Sequence, residues 1–166
     1  MGRRHAFTPS QTVGPFFGFA LPFPGDADAA DGEKAVRIEG QLLDGEGAPV
    51  AEGLIEVWDA DQFARCRTDA EGAYHFKVNK PPALSGPKGI RLASHLNVNV
   101  FARGLLRHLV TRIYFPDEEA ANTADPVLAR VDPARRTTLV ARGDAHVLRF
   151  DVHLQGDDET VFFAAD

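Results

Sequence analysis

The chain has 166 residues, of which 44% are hydrophobic and 25% charged, the balance of one soluble globular domain. Its formal net charge of −6 argues against nucleic acid as a partner. The single cysteine, Cys66, excludes an internal disulfide and fits a reducing compartment, so we expect a cytoplasmic protein. No stretch approaches the ~20 apolar residues of a membrane helix, which argues against a membrane partner as well.

The first 33 residues differ from the rest of the chain, because they are rich in proline, glycine and phenylalanine and show no hydrophobic period. Phenylalanines in such a stretch form an apolar surface that is unfavourable in water. We therefore expect residues 1–33 to be a long irregular arm, which wraps the folded domain of residues 34–166 or is buried in a partner.

From residue 34 onward the hydrophobic residues recur with a period of two, which predicts β-strands separated by turns. Residues 79–90 contain three prolines and are predicted to be a loop, and a short helix is predicted within 117–130. This number of short strands predicts an all-β protein with an immunoglobulin-like or transthyretin-like β-sandwich. The predicted strands are 36–42, 54–60, 74–78, 95–102, 108–115, 137–142, 146–155 and 160–163.

One face of the predicted strand 95–102 carries a mixed polar row. Side chains at i and i+2 share a face of a strand, so a His-x-His pair can place two imidazoles on one metal ion. Here His95 is followed by Asn97, and an amide is a poor ligand for a transition metal. The row is therefore either solvent-exposed or the wall of a pocket or subunit contact, in which Arg103 meets an anion. It consists of His95, Asn97, Asn99, Phe101 and Arg103.

The other polar residues give weaker indications of chemistry. Tyr74 and Tyr114 lie within alternating strands and are interpreted as packing residues with a hydroxyl at the edge. No nucleophile motif accompanies a serine, so hydrolase chemistry has little support.

Eight stretches, running in order from one end of the chain to the other, resemble the intradiol ring-cleaving dioxygenases. Each is weak alone, but the ordered set is specific, and it resembles most closely the alpha subunits of those members that cleave protocatechuate. The stretches are TPSQTVGPF at 8–16, GQLLDG at 40–45, IEVWDA at 55–60, TDAEG at 68–72, HLN at 95–97, FARG at 101–104, TRIYF at 111–115 and QGDDETVFF at 155–163.

The resemblance implies a metal centre whose ligands this chain has largely lost. Catalytic subunits of the family hold non-haem ferric iron with two tyrosines and two histidines, the latter from a Pro-x-His-x-His strand. This chain keeps His95, has Asn97 at the second histidine position, and has no tyrosine at 61–67 or 79–90, where the ligand tyrosines belong. The resemblance therefore implies no metal ligand and no catalytic residue on this chain, with Fe(III) on a beta subunit.

The resemblance also implies a role at a subunit boundary. The family's alpha subunits contact the catalytic beta subunit through the N-terminal arm, here residues 1–33, and line its substrate pocket. The matching positions are Thr12, Gly14, Pro15 and Arg103. Glycine allows close approach of the backbone to a ligand, proline stiffens it, and arginine binds an anionic group such as the protocatechuate carboxylate.

The implied activity is that of a hetero-oligomer of alpha–beta protomers. Protocatechuate and O₂ would be converted to 3-carboxy-cis,cis-muconate, with the iron of the beta subunit carrying the oxidation. Two other interpretations stay open: a free-standing β-sandwich binding module without activity, and a self-sufficient dioxygenase, which would need the iron ligands that the sequence lacks.

Overall fold

Two β-sheets pack face to face and bury the apolar positions of their strands between them. The computed structural model describes residues 14, 16–85, 89–144 and 146–164. Within these ranges the strands are β1 Ala35–Leu43, β2 Leu54–Trp58, β3 Phe63–Arg67, β4 Ala73–Asn79, β5 Leu84–Ser85, β6 Arg91–Leu92, β7 His95–Phe101, β8 Leu109–Tyr114, β9 Arg142–Gly143, β10 Val147–Arg149 and β11 Val152–His153. The helices are α1 Phe17–Ala20 and α2 Glu119–Ala124, with 3-10 helices at Pro116–Glu118, Leu128–Arg130 and Pro133–Leu139.

The first sheet is built around β1, which pairs antiparallel with β4 and parallel with β10 and β11, while β9 extends it beyond β10. The second sheet has the order β3-β2-β7-β8, and every pair in it is antiparallel. A small hairpin joins β5 to β6. Among the described residues, no helix is long and apolar enough to cross a membrane.

The alternating pattern that predicted the strands is the pattern of burial. On β7, Leu96, Val98 and Val100 are fully buried, and the predicted inward residues Leu148 and Val152 of β10 and β11 are buried opposite them in the same core. Each such side chain contributes roughly 1.5–3 kcal/mol through removal of apolar surface from water. The all-β prediction is thus confirmed.

Two predicted strands were wrong for identifiable reasons. Residues 137–142 are not one strand, because Pro133 begins a 3-10 helix whose first turn is capped by the Asp132 carboxylate, 2.9 Å from the amide of Ala134. Residues 160–163 form only a single bridge, between Phe163 and Val110.

The predicted long strand 146–155 is divided into β10 and β11. Asp151 interrupts the ladder, because its carboxylate accepts the amide of Gln41 at 3.0 Å in place of a backbone carbonyl. Tyr74 donates its hydroxyl to the carbonyl of Phe150 just before the break. A Cβ at Gly40 would lie 1.8 Å from the oxygen of Phe150, so this crossing of strands requires glycine.

Other elements were missed or misplaced by the pattern. Strand β3 and helix α1 were not predicted, and β5 lies inside the proline-rich stretch 79–90 that was predicted to be a loop. The predicted short helix within 117–130 is confirmed as α2, flanked by two 3-10 helices.

Candidate functional site

The polar row of β7 lies on the outer face of the second sheet, the face turned away from the sandwich core. Strand register places Phe63, Trp58, Asn97 and Arg112 in one line across the four strands. The next line consists of Arg65, Glu56, Asn99 and Val110. The row is not simply solvent-exposed, since His95 is buried and the two asparagines are half-buried.

His95, the one histidine of the HLN motif, is held in a closed environment. It is 3% exposed, its Nδ1–H donates to the carbonyl of Ala93 at 2.8 Å, and its ring centroid lies 5.5 Å from that of Tyr114. Burial lowers the pKa of the imidazole, with the nearby guanidinium of Arg112 acting in the same direction. His95 is therefore a neutral packing residue at the start of β7.

The positions at which the resemblance implies the other iron ligands hold side chains that make other contacts. The Asn97 side-chain amide lies 3.4 Å from the carbonyl of Trp58 and donates to it. Phe63, in the 61–67 stretch, pairs with Trp58 on the outer face. Among the described residues, no group of three or more histidine, cysteine, aspartate or glutamate side chains could hold a metal ion. An amide at 97 and a phenyl ring at 63 are poor ligands for ferric iron, so the side chains at these positions do not fit that metal.

An ion pair and an amide occupy the centre of this face. Glu56, only 8% exposed, accepts from Arg65 at 2.7 Å (Nη2) and 3.0 Å (Nε), and from Asn99 Nδ2 at 3.1 Å. Arg65 also donates to the carbonyl of Leu21 at 3.2 Å and lies 5.1 Å over the ring of Phe63. This arrangement neutralises the row internally and fastens the N-terminal arm to the sheet.

A buried carboxylate, that of Asp125, holds the start of β7 next to the end of β8. Asp125 is fully buried and accepts the amides of Ala93 (2.8 Å), Val127 (2.8 Å) and Leu128 (3.0 Å), and its Oδ1 lies 3.3 Å from the hydroxyl of Tyr114. Burial raises the pKa of Tyr114 to about 12, so the phenol stays protonated.

Tyr74 and Tyr114 both pack inside the fold, and three polar residues of this region were not predicted from the sequence. The interpretation of both tyrosines as packing residues is confirmed, since Tyr74 and Tyr114 are 4% and 0% exposed. The expected position of their hydroxyls at the edge was wrong, because both hydroxyls are buried, that of Tyr74 on the carbonyl of Phe150 and that of Tyr114 on the carboxylate of Asp125. Sequence reasoning missed Glu56, Arg65 and Asp125. The alternation of 54–60 places Glu56 on the outer side, but only the cross-strand register shows its partners.

Of the four predicted pocket residues, Gly14 and Arg103 are described, while Thr12 and Pro15 lie outside the described residues. Arg103 is exposed in the turn after Phe101, and Phe101 packs against Phe17 with ring centroids 6.4 Å apart. Gly14 is three residues before Phe17, which limits their separation to about 10 Å of extended chain. Gly14 and Arg103 thus belong to the same end of the second sheet. The φ of Gly14 is +75°, a conformation that favours glycine.

A family model described as a dioxygenase matches residues 24–156, most of the chain. The chain is also 40% identical to the protocatechuate 3,4-dioxygenase alpha chain of Burkholderia cepacia, over 94% of this chain and 96% of that one. It belongs to the intradiol dioxygenase family.

Within the intradiol dioxygenases the chain is of the alpha type, and it is an enzyme subunit. The protocatechuate 3,4-dioxygenase alpha chain of Pseudomonas putida is 35% identical over 94% of this chain and 95% of that one. The beta chain from Burkholderia cepacia is 32% identical, over 78% of this chain and 67% of that one, so alpha and beta types are themselves related.

Solved structures show the same fold. The dioxygenase domain of a carbohydrate-binding fusion from Streptomyces sp. SirexAA-E aligns with a TM-score of 0.62 at 22% identity, over 90% of this chain and 98% of that one. A 3-chlorocatechol 1,2-dioxygenase from Rhodococcus opacus 1CP aligns with a TM-score of 0.61 at 19% identity, over 88% and 72%. Intradiol dioxygenases are iron enzymes, yet the ligand positions of this chain do not fit iron.

Proposed function

We propose that this chain is the iron-free alpha subunit of a protocatechuate 3,4-dioxygenase and lines the substrate pocket of a catalytic beta subunit. The observation that carries the proposal is the replacement of the ligand set: Asn97 donates to a backbone carbonyl, Phe63 stands in the 61–67 stretch, and His95 is closed off by Ala93 and Tyr114. The similarity of this chain to both alpha and beta chains supports the same assignment, with the catalytic role on the beta subunit.

In the proposed complex the beta subunit holds Fe(III) and performs the oxidation. Both atoms of O₂ enter the product as the ring of protocatechuate opens between its two hydroxyl-bearing carbons, giving 3-carboxy-cis,cis-muconate without an external reductant. The single cysteine fits a cytoplasmic location for this enzyme.

This chain would contribute part of the wall of the substrate pocket and one positive charge. Arg103 is an exposed guanidinium on a turn of an otherwise acidic chain, and it would pair with the substrate carboxylate. Gly14, at φ +75°, would bring backbone close to the substrate, flanked by Thr12 and Pro15. These four residues complete the pocket of the partner, and iron chemistry needs nothing further from this chain.

The proposal is tested first by metal analysis. The full-length chain purified alone should be colourless and free of iron, and the complex with the beta chain of the same organism should carry iron in proportion to beta. Stoichiometric iron with a visible absorption band in the chain alone would overturn the proposal, and so would failure of the two chains to assemble.

The role of Arg103 is tested in the complex by Arg103→Ala. A charge-assisted hydrogen bond to a carboxylate is worth roughly 1.5–3 kcal/mol, so kcat/KM for protocatechuate should fall about 10- to 100-fold. Catechol, which lacks the carboxylate, should be much less affected, and iron content should not change. Arg130→Ala, an exposed arginine beyond α2, is the matched control. An equal loss on both substrates would contradict carboxylate recognition by Arg103.

A further inference from the structure

The tripeptide Asp-Gly-Glu occurs twice in the sequence, at 31–33 and at 44–46. An Asp-Gly bond can rearrange without an enzyme, because glycine has no Cβ to shield its backbone nitrogen from the carboxyl group of the preceding side chain. Since the two copies have the same local chemistry, the fold around them decides how reactive each one is. The structure places them in very different surroundings.

The first copy lies in an exposed link between the N-terminal arm and β1. All four residues of this link, 31–34, are exposed. The side chain of Asp31 is 100% exposed and accepts from Lys77 Nζ at 3.4 Å, a surface ion pair that restrains it little. A Cβ placed on Gly32 would meet no atom within 4 Å, so there is open space beside the dipeptide. The carboxyl group of Asp31 can therefore turn toward the nitrogen of Gly32.

The second copy is held in the closed turn that follows β1. Asp44 is half-buried, and its Oδ1 accepts the backbone amides of Glu46 and Ala48, both at 2.9 Å. The backbone amide of Asp44 also donates to the carbonyl of Ala48 at 2.9 Å. A Cβ placed on Gly45 would lie 3.0 Å from the side chain of Gln155, so this copy is crowded as well. The carboxylate of Asp44 has to leave its two amides before it can reach the nitrogen of Gly45.

We propose that Asp31 is a modification site of the folded chain, at which its bond to Gly32 rearranges to isoaspartate. The backbone nitrogen of Gly32 attacks the side-chain carboxyl carbon of Asp31, gives up its proton, and a water molecule leaves as a succinimide ring closes. Water then adds to one of the two ring carbonyls. Opening at the backbone carbonyl gives isoaspartate, in which the chain runs through the side-chain carbon, whereas opening at the other carbonyl restores aspartate.

The rearrangement is balanced by the water alone. The molecule of water lost in ring closure is regained in ring opening, so the reaction needs no oxidant, reductant or cofactor. It also needs neither iron nor a beta subunit, and it is therefore independent of the proposed function.

The position of the link gives the modification a structural consequence. On one side, Ala30 is 7% exposed and its amide donates to the carbonyl of Lys77 at 3.1 Å. On the other side, Ala35 begins β1 and pairs with Asn79 of β4. Isoaspartate adds one carbon atom to the backbone between these two fixed points. The link must then bulge outward or one of its anchors must loosen, at the junction where the arm joins the first sheet.

The hydrogen bonds of Asp44 set the size of the expected difference. Breaking even one hydrogen bond to a charged group lowers the reactive population by roughly 10-fold, and Asp44 has two such bonds to break. We therefore expect at least ~10-fold more isoaspartate at position 31 than at position 44 in the folded chain.

The test ages the full-length folded chain for several weeks in neutral buffer prepared with H₂¹⁸O. Trypsin cleaves after Lys34 and after Arg37, so the two copies fall in separate peptides. Mass spectrometry with electron-transfer fragmentation locates isoaspartate, and ring opening should leave ¹⁸O at the same residue. An isoaspartyl methyltransferase with labelled S-adenosylmethionine serves as a second probe, and its label should appear on the peptide that contains Asp31.

Two controls separate the effect of the fold from other sources of isoaspartate. In concentrated urea the two copies should rearrange at similar rates, because their local sequences match. Asp31→Glu should abolish the modification of its peptide, since the larger ring that glutamate must form closes far more slowly, and it should leave position 44 unchanged. Circular dichroism checks that this variant folds.

The proposal is overturned if position 31 stays unmodified in the folded chain, or if positions 31 and 44 are modified equally. It is also overturned if the difference between them persists in urea, because the fold would then not be its cause. Methyl label that remains on the same peptide of Asp31→Glu would assign the modification to another residue.

Discussion

Replacement of Asp125 is the sharpest test of how the second sheet is held together. Its carboxylate is fully buried and accepts three backbone amides and the Tyr114 hydroxyl. In Asp125→Ala, the amides of Ala93, Val127 and Leu128 lose their acceptor. Hydrogen bonds to a charged group are worth roughly 1.5–3 kcal/mol each and are not additive, so we expect a loss of about 5 kcal/mol. That approaches the whole stability of a typical domain.

Asp125→Asn removes the negative charge of the side chain and keeps its shape. The remaining carbonyl oxygen can still accept from Val127 and Leu128, whereas the new amide group would face the N–H of Ala93, which donates to Oδ2 at 2.8 Å. The expected loss is about 2 kcal/mol, which for a chain of this length lowers Tm by roughly 4–8 °C.

Thermal and urea unfolding followed by circular dichroism measure both variants. The matched control is Asp132→Asn, in which an exposed cap accepts one amide, from Ala134 at 2.9 Å. Asparagine caps as well as aspartate, so this control should change stability by less than about 0.5 kcal/mol. If Asp125→Asn were no more destabilised than Asp132→Asn, the argument that Asp125 holds β7 to β8 would fail.

Two further predictions concern the crossing at Gly40 and the protonation of His95. Gly40→Ala should lower the free energy of unfolding in urea by about 3 kcal/mol or more, since the added Cβ would meet a backbone oxygen at 1.8 Å. The control Gly45→Ala should lower it far less, because its nearest contact is the flexible side chain of Gln155 at 3.0 Å. Similar losses in the two variants would refute the close approach at Gly40. Burial lowers the pKa of His95, so the unfolded chain takes up its proton first and stability should fall as pH drops below about 6.5. The decrease in Tm between pH 7.5 and 5 should be smaller in His95→Phe than in the parent chain, and an equal decrease in both would contradict the burial argument.

The alternation of hydrophobic and polar residues predicted the core well. It did not predict strand ends that are set by a side-chain hydrogen bond. The period of two identified the strands around Ile38, Tyr74 and Val98, because burial of one face imposes that period. It could not show that the Asp151 carboxylate takes over a ladder hydrogen bond and divides the last long strand. That substitution depends on Gln41, more than a hundred residues earlier in the chain.

For the candidate site, the sequence by itself showed which side chains stand at the positions where the resemblance implies iron ligands. The HLN motif and the two stretches without tyrosine are visible without a structure, since ligand chemistry requires particular side chains. What replaces them was decided by tertiary structure alone. Glu56 meets Arg65 and Asn99 only through the register of three strands, and Asp125 reaches Ala93 only through a loop that returns to the start of β7. Likewise, composition shows that the arm is rich in phenylalanine, but packing decides that Phe17 is buried while Phe16 and Phe19 stay exposed, because a helix can turn only one face toward the sheet.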